Sequence, residues 1–118
     1  MLEKLRPYLR MKRKASDKAN AAERLHMARV ASLPCLVSGR HPVTLHHVTG
    51  YADRAGRFAR SHSLVVPLAE QFHLIQHGPH FSVEALGHRG FYLHHGIDLL
   101  AEAEMLKLES IYLGIDLP

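Results

Sequence analysis

Apolar positions along this chain recur with two different periods, and the switches between them set the expected architecture. From Ser16 or Asp17 to about Ala31, Ala22, Leu25, His26, Ala28 and Arg29 fall at helical spacing behind a residue suited to capping a helix. Leu33-Pro34 ends that helix, because a proline pushes the residue before it out of the helical region. Cys35 to Pro42 starts apolar and then turns. Val43 to Val48 is rich in β-branched residues and predicts a strand, and Leu64 to Pro67 predicts a second. Gly50 to Arg60, between them, is a polar loop. Leu68 to His77 predicts a helix with Leu68, Phe72 and Ile75 on one side, stopped by Gly78-Pro79. Ser82 caps a short helix through Leu86, Gly87 to Gly90 turns, and Phe91, Tyr92 and Leu93 read as buried. Asp98 opens a final helix to about Leu108, with Leu99, Leu100, Ala103, Leu106 and Lys107 at helical spacing.

Helices flanking a strand–strand–helix core make this an α+β fold. At 118 residues the chain suits one domain with a modest core, and a hydrophobic share of 47% argues against wholesale disorder. The expected organisation is an N-terminal arm over 1–15, a domain over 16–110 with its core at about 43–77, and a tail over 111–118. No apolar run approaches the ~18 residues of a membrane span, and no hydrophobic segment follows the basic N-terminus as in a secretory signal. The single cysteine, Cys35, excludes an internal disulfide and fits a reducing, cytoplasmic setting.

Charge changes the picture through its distribution. Lys4, Arg6, Arg10, Lys12, Arg13, Lys14, Lys18, Arg24 and Arg29 crowd the first quarter, while Asp98, Glu102, Glu104, Glu109 and Asp116 dominate the last. A basic arm ahead of a compact body suits a polyanion, because each phosphate neutralised releases counterions. Nucleic acid is one reading of that arm, and an ordinary solvated basic tail is the other. Arg54, Arg57 and Arg60, in the loop between the strands, are candidate phosphate contacts by charge and position.

The eleven histidines say more. On a helix, His73 and His77 share a face and can share one metal ion. His46 and His47 are adjacent at a strand end, where neighbours point to opposite faces. One of the pair can join the metal while the other faces towards a substrate. Phosphodiester cleavage uses that division: a metal stabilises charge on the phosphate and leaving oxygen, and a neutral imidazole, of pKa about 6.5, takes a proton from the attacking water. A second doublet, His94-His95, lacks a partner pair after a following strand and reads as structural or surface.

Leu45-His46-His47-Val48-x-Gly50, followed by Val66-Pro67-Leu68 and His73, resembles the HNH (ββα-metal) nuclease superfamily. Within it the chain is most similar to the Ref-type family, the phage-encoded RecA-dependent nucleases of recombination enhancement. The resemblance covers about Leu33 to Met105 in four segments: Leu33-Pro34-Cys35, Val43 to Gly50, His62 to Pro79, and Phe91 to Met105. It implies a metal-dependent DNA endonuclease in a bacterial or phage-infected cell. It also implies His46, His73 and His77 as metal ligands, His47 as general base, and His62 as the residue that orients base or phosphate. A RecA-type filament on DNA is the implied further partner. Histidine ligation suits Zn²⁺, and the family leaves room for Mg²⁺ or Mn²⁺ in turnover.

Many relatives carry a zinc knuckle of two C-x-x-C pairs. Here those positions read Cys35 and Ser38, then Ala69 and Phe72, and one thiolate cannot hold a structural zinc. No knuckle zinc is expected; apolar packing around Ala69 and Phe72 takes its place, and Cys35 is a buried thiol. The alternative is a catalytically inactive HNH-like module that binds DNA or protein. A third reading is a helical interaction protein with incidental histidines. The amphipathic C-terminal helix offers a homodimer surface.

Overall fold

The computed structural model describes residues 18–48 and 61–118. The N-terminal arm, and the interstrand loop with Arg54, Arg57 and Arg60, lie outside the described residues. The architecture is α+β: α1 (Ala21–Ala31), β1 (Thr44–His47), β2 (Val65–Leu68), α2 (Glu70–His73), α3 (Val83–His95) and α4 (Leu99–Tyr112). The strands pair antiparallel, with Thr44 opposite Leu68 and His47 opposite Val65.

α1 begins later than its periodicity suggests. Asn20 is the N-cap: its side chain accepts from Glu23 N at 2.8 Å, and Glu23 Oε1 accepts from Asn20 N at 2.8 Å. This reciprocal box satisfies two backbone donors at the helix start. The inward face of α1 is His26 and Val30, whereas Leu25 is 62% exposed, contrary to its place in the expected stripe.

β2 is buried along its whole length, paired with β1 and in contact with α1, α2 and α4. Val30, Val48, Val65, Val66, Leu68, Phe91, Leu99 and Ala103 form the core around it. Each such side chain contributes roughly 1.5–3 kcal/mol through removal from water, less for the alanine. α4 lays Leu99, Ala103, Leu106 and Ser110 inward, and Asp98 caps it by accepting from Ala101 N at 3.1 Å. The helix continues to Tyr112, beyond the expected end near Leu108, and Leu117 in the expected tail is buried.

Two expectations for the middle of the chain are corrected. The helix foreseen over Leu68 to His77 is only Glu70–His73. Leu68 belongs to β2, and Leu74 turns extended with φ −104 and ψ 134. The turn foreseen at Gly87 to Gly90 is a single-residue break. Gly87 has φ 72 and ψ 171, and helix resumes at once to His95. That backbone region is nearly restricted to glycine. Because the resumed helix shows one face inward, Phe91 is fully buried while Tyr92 and Leu93 are 53% and 72% exposed. His95 Nε2 donates to Phe81 O at 2.8 Å and its ring packs on Phe72 and Phe91, a structural role for the second doublet.

Candidate functional site

The two-residue period of β1 sorts the site. Thr44 and His46 share one face, and both meet His73 at the end of α2. Thr44 Oγ1 lies 2.7 Å from His73 Nδ1 and 2.8 Å from Leu68 O. The carbonyl can only accept, so the Thr44 hydroxyl donates to it and accepts from His73 Nδ1–H. That leaves the lone pair of His73 on Nε2, the arrangement by which a hydrogen bond behind a ring prepares its other nitrogen for a metal. Burial holds His73 below the ordinary imidazole value, against the opposing pull of the Glu84 carboxylate, so the ring is neutral at neutral pH.

His46 makes an edge contact with His73 at a centroid distance of 5.0 Å. It also meets His88, with centroids 5.2 Å apart and Nε2 to Nε2 at 2.9 Å. Two imidazole nitrogens at that distance share either one proton or one cation, since two facing lone pairs repel. His46, Val83, Glu84, Gly87, His88 and Arg89 line an open cleft of about 440 Å³. Imidazole nitrogens are suitable donors for a divalent metal, and two of these rings, His46 and His88, line the open cleft. Among the described residues, no three His, Cys, Asp or Glu side chains are grouped, as they stand, so that they could hold a metal ion.

His77 is placed elsewhere. With α2 ended at His73, the two histidines are not one helical turn apart. His77 Nε2 stands 3.5 Å from Glu70 Oε2, and both side chains are largely exposed. The site residue that sequence reasoning missed is His88. Its signal was obscured because Gly87 and Gly90 read as the limits of a turn.

His47, on the opposite face of β1, pairs with His62 just ahead of β2. Nε2 of His47 is 3.1 Å from Nδ1 of His62, with the rings edge to face at 5.1 Å. The doublet is thus divided between two settings, His46 with His73 and His88, His47 with His62.

Ser38, Arg40, His41, Ala69 and Phe72, which include three of the positions expected to stand in place of a cysteine knuckle, line a second cleft. Burial pushes the Cys35 thiol up, but hydrogen bonds from the backbone of Ala69 and from Ser38 outweigh it, and its pKa lies below the ordinary value. Cys35 is free and buried. Phe72 meets Phe81 in a tilted contact and His95 edge to face, each at a centroid distance of 5.6 Å.

Among the described residues, no helix is long and apolar enough to cross a membrane. No protein-family model matches the chain, nor does any curated protein or solved structure.

Proposed function

We propose that the protein is a metal-dependent DNA endonuclease of the HNH type that hydrolyses phosphodiester bonds. The observation that carries this reading is the division of the doublet. A purely structural metal site has no use for a second histidine turned away from the first and held by a third.

In this reading His46 and His73 hold a divalent ion, Zn²⁺ or, in turnover, Mg²⁺ or Mn²⁺. When bound, the ion supplies charge stabilisation on the phosphate and the leaving oxygen. His47 is the base. The tautomer that serves it has Nε2–H donating to His62 Nδ1, which leaves the Nδ1 lone pair of His47 to take a proton from water. The water oxygen then bonds to phosphorus as the P–O bond to the leaving oxygen breaks. His62 fixes the ring and stabilises the imidazolium that forms. Thr44 keeps His73 in the ligating tautomer.

A plasmid-nicking assay with Mg²⁺, Mn²⁺ and Zn²⁺ tests the proposal beside His47→Ala. The wild type is expected to nick, and the variant to lose about 10²–10⁴-fold in rate, the usual contribution of a positioned base. Cleavage that survives the substitution removes His47 from its role. A folded wild type that cleaves with none of the metals favours a DNA- or protein-binding module instead.

A further inference from the structure

We infer that His88, from α3, is the third imidazole of the metal centre in place of His77; the inference rests on the metal-centre reading above and specifies its ligand set. Three observations carry it. First, His46 makes ring contact with two histidines, His73 at a centroid distance of 5.0 Å and His88 at 5.2 Å. The Nε2 atoms of His46 and His88 are 2.9 Å apart. Two nitrogens on one tetrahedral zinc, each at 2.0–2.1 Å, are separated by about 3.3 Å. The pair therefore needs only a small separation to take a cation between its two nitrogens. His77 is at a different place, beside Glu70.

Second, the backbone is built to deliver His88. Ser82 caps the first turn of α3 by accepting from Ala85 N at 3.2 Å. Gly87 at φ 72 then breaks the helix, and the chain resumes helix with His88 in contact with β1. A helix running straight through Gly87 would present position 88 in another direction. No Cβ at Gly87 would meet an atom within 4 Å, so the glycine answers a need for backbone conformation and not for space.

Third, α3 is tied to the segment that follows His73. Glu84 Oε1 accepts from Ile75 N at 2.8 Å, which fixes the first turn of α3 against the exit of α2. The two elements bearing His73 and His88 are thereby held in register around His46. The cleft stays open beyond them, leaving a coordination position for water or a phosphate oxygen, as in catalytic sites with three protein ligands. Arg89 lies on the same rim, placed for the phosphate.

Metal binding by the full chain tests this directly, with Zn²⁺ by calorimetry and Co²⁺ by absorption. The wild type is expected to bind about one equivalent. His88→Ala should weaken zinc at least about tenfold, while His77→Ala stays within about twofold of wild type. His88→Cys guards against a folding defect. It should bind Co²⁺ with a thiolate-to-cobalt charge-transfer band in the near ultraviolet, absent from wild type and from His77→Cys. Wild-type affinity in His88→Ala, or a band in His77→Cys and none in His88→Cys, overturns the inference. A wild type that binds no metal sinks the metal centre itself. Metal bound through His88 without DNA cleavage leaves the ligand set standing and removes the nuclease.

Discussion

His26 Nδ1 lies 2.6 Å from Ser110 Oγ, joining α1 to α4 across the core. The other ring nitrogen, Nε2, donates to Ser63 O at 2.9 Å. With that proton committed, Nδ1 accepts from the Ser110 hydroxyl, and Ser110 Oγ in turn accepts from Arg29 Nη1 at 2.9 Å. The network connects both flanking helices to the segment that leads into β2. No buried side-chain nitrogen or oxygen among the described residues lacks a partner. Ser110→Ala strands the His26 nitrogen and is expected to cost about 1–3 kcal/mol, the penalty of a buried polar atom left unsatisfied. Urea unfolding followed by circular dichroism reads this. An unchanged midpoint would show that water replaces the hydroxyl.

The same histidine makes stability depend on pH. Burial lowers its folded pKa below 6.5, with Arg29 and Lys107 acting in the same direction and the Ser63 carbonyl opposing. The unfolded chain then binds a proton that the folded protein refuses. Stability from neutral His26 is complete above about pH 6.5 and is lost as pH falls towards the lower folded value. The metal-free protein should therefore unfold at lower denaturant at about pH 5.5 than at about pH 7.5. His73, shifted the same way, adds to the slope. His26→Gln should flatten it in part; a variant with the full wild-type slope would assign the effect elsewhere.

In the proposed metal centre, Thr44 would act on the ion through His73, whose Nδ1 lies 2.7 Å from its hydroxyl. Thr44→Val keeps the shape of the side chain but removes the acceptor for His73 Nδ1–H. Zinc affinity is expected to fall by about 10–100-fold, as for other groups that orient a ligating histidine. Thr44→Ser should restore most of it. Equal affinity in all three proteins would mean that packing alone orients the ring.

The positions that the HNH resemblance sets against a zinc knuckle, Cys35, Ser38, Ala69 and Phe72, allow a test with a signed outcome. In Ser38→Cys/Ala69→Cys/Phe72→Cys, loss of the Phe72 ring should destabilise the metal-free protein by about 2–4 kcal/mol, within the range for deleting a large apolar side chain. Zinc should then raise its melting temperature well beyond that of wild type, because four thiolates would be brought together with Cys35. Thermal melts with zinc and with chelator make the comparison. A variant that zinc fails to rescue would show that the backbone here no longer matches a knuckle.

Much of this molecule can be read from local chemistry. The two strands fall within a residue of where β-branched runs put them, and Asp98 caps α4 as its position ahead of Leu99 suggests. The separation of His46 from His47 follows from strand alternation alone. The failures share a cause: they depend on contacts between segments. Periodicity carries α2 on to His77, but Leu74 turns extended, and the Gly78 amide donates to Leu74 O at 2.9 Å. A Cβ at Gly78 would overlap the carbonyl of Gln71, so chain packing decides that end. His88 was hidden because the conformation of Gly87 re-aims the helix, which no spacing rule reports. Asn20, by contrast, was legible: Asn-x-x-Glu is a capping box that a preference for Ser16 or Asp17 passed over.

Pro67 sits in the middle of β2, opposite Leu45, where a proline would ordinarily cost a ladder bond. Its carbonyl, however, accepts from Leu36 N at 3.1 Å, outside the strand pair. A strand residue sends its nitrogen and its oxygen to the same side, so the missing N–H also faces outward. Among the described residues the sheet has two strands, each with an edge turned from the other, and an edge with a full row of donors invites a further strand unless it is covered. On β2 the proline removes a donor and Leu36 occupies the acceptor. The edge of β2 away from β1 is thus closed within the fold, and a replacement such as Pro67→Val, though a better strand former, would add a buried N–H in need of an acceptor there.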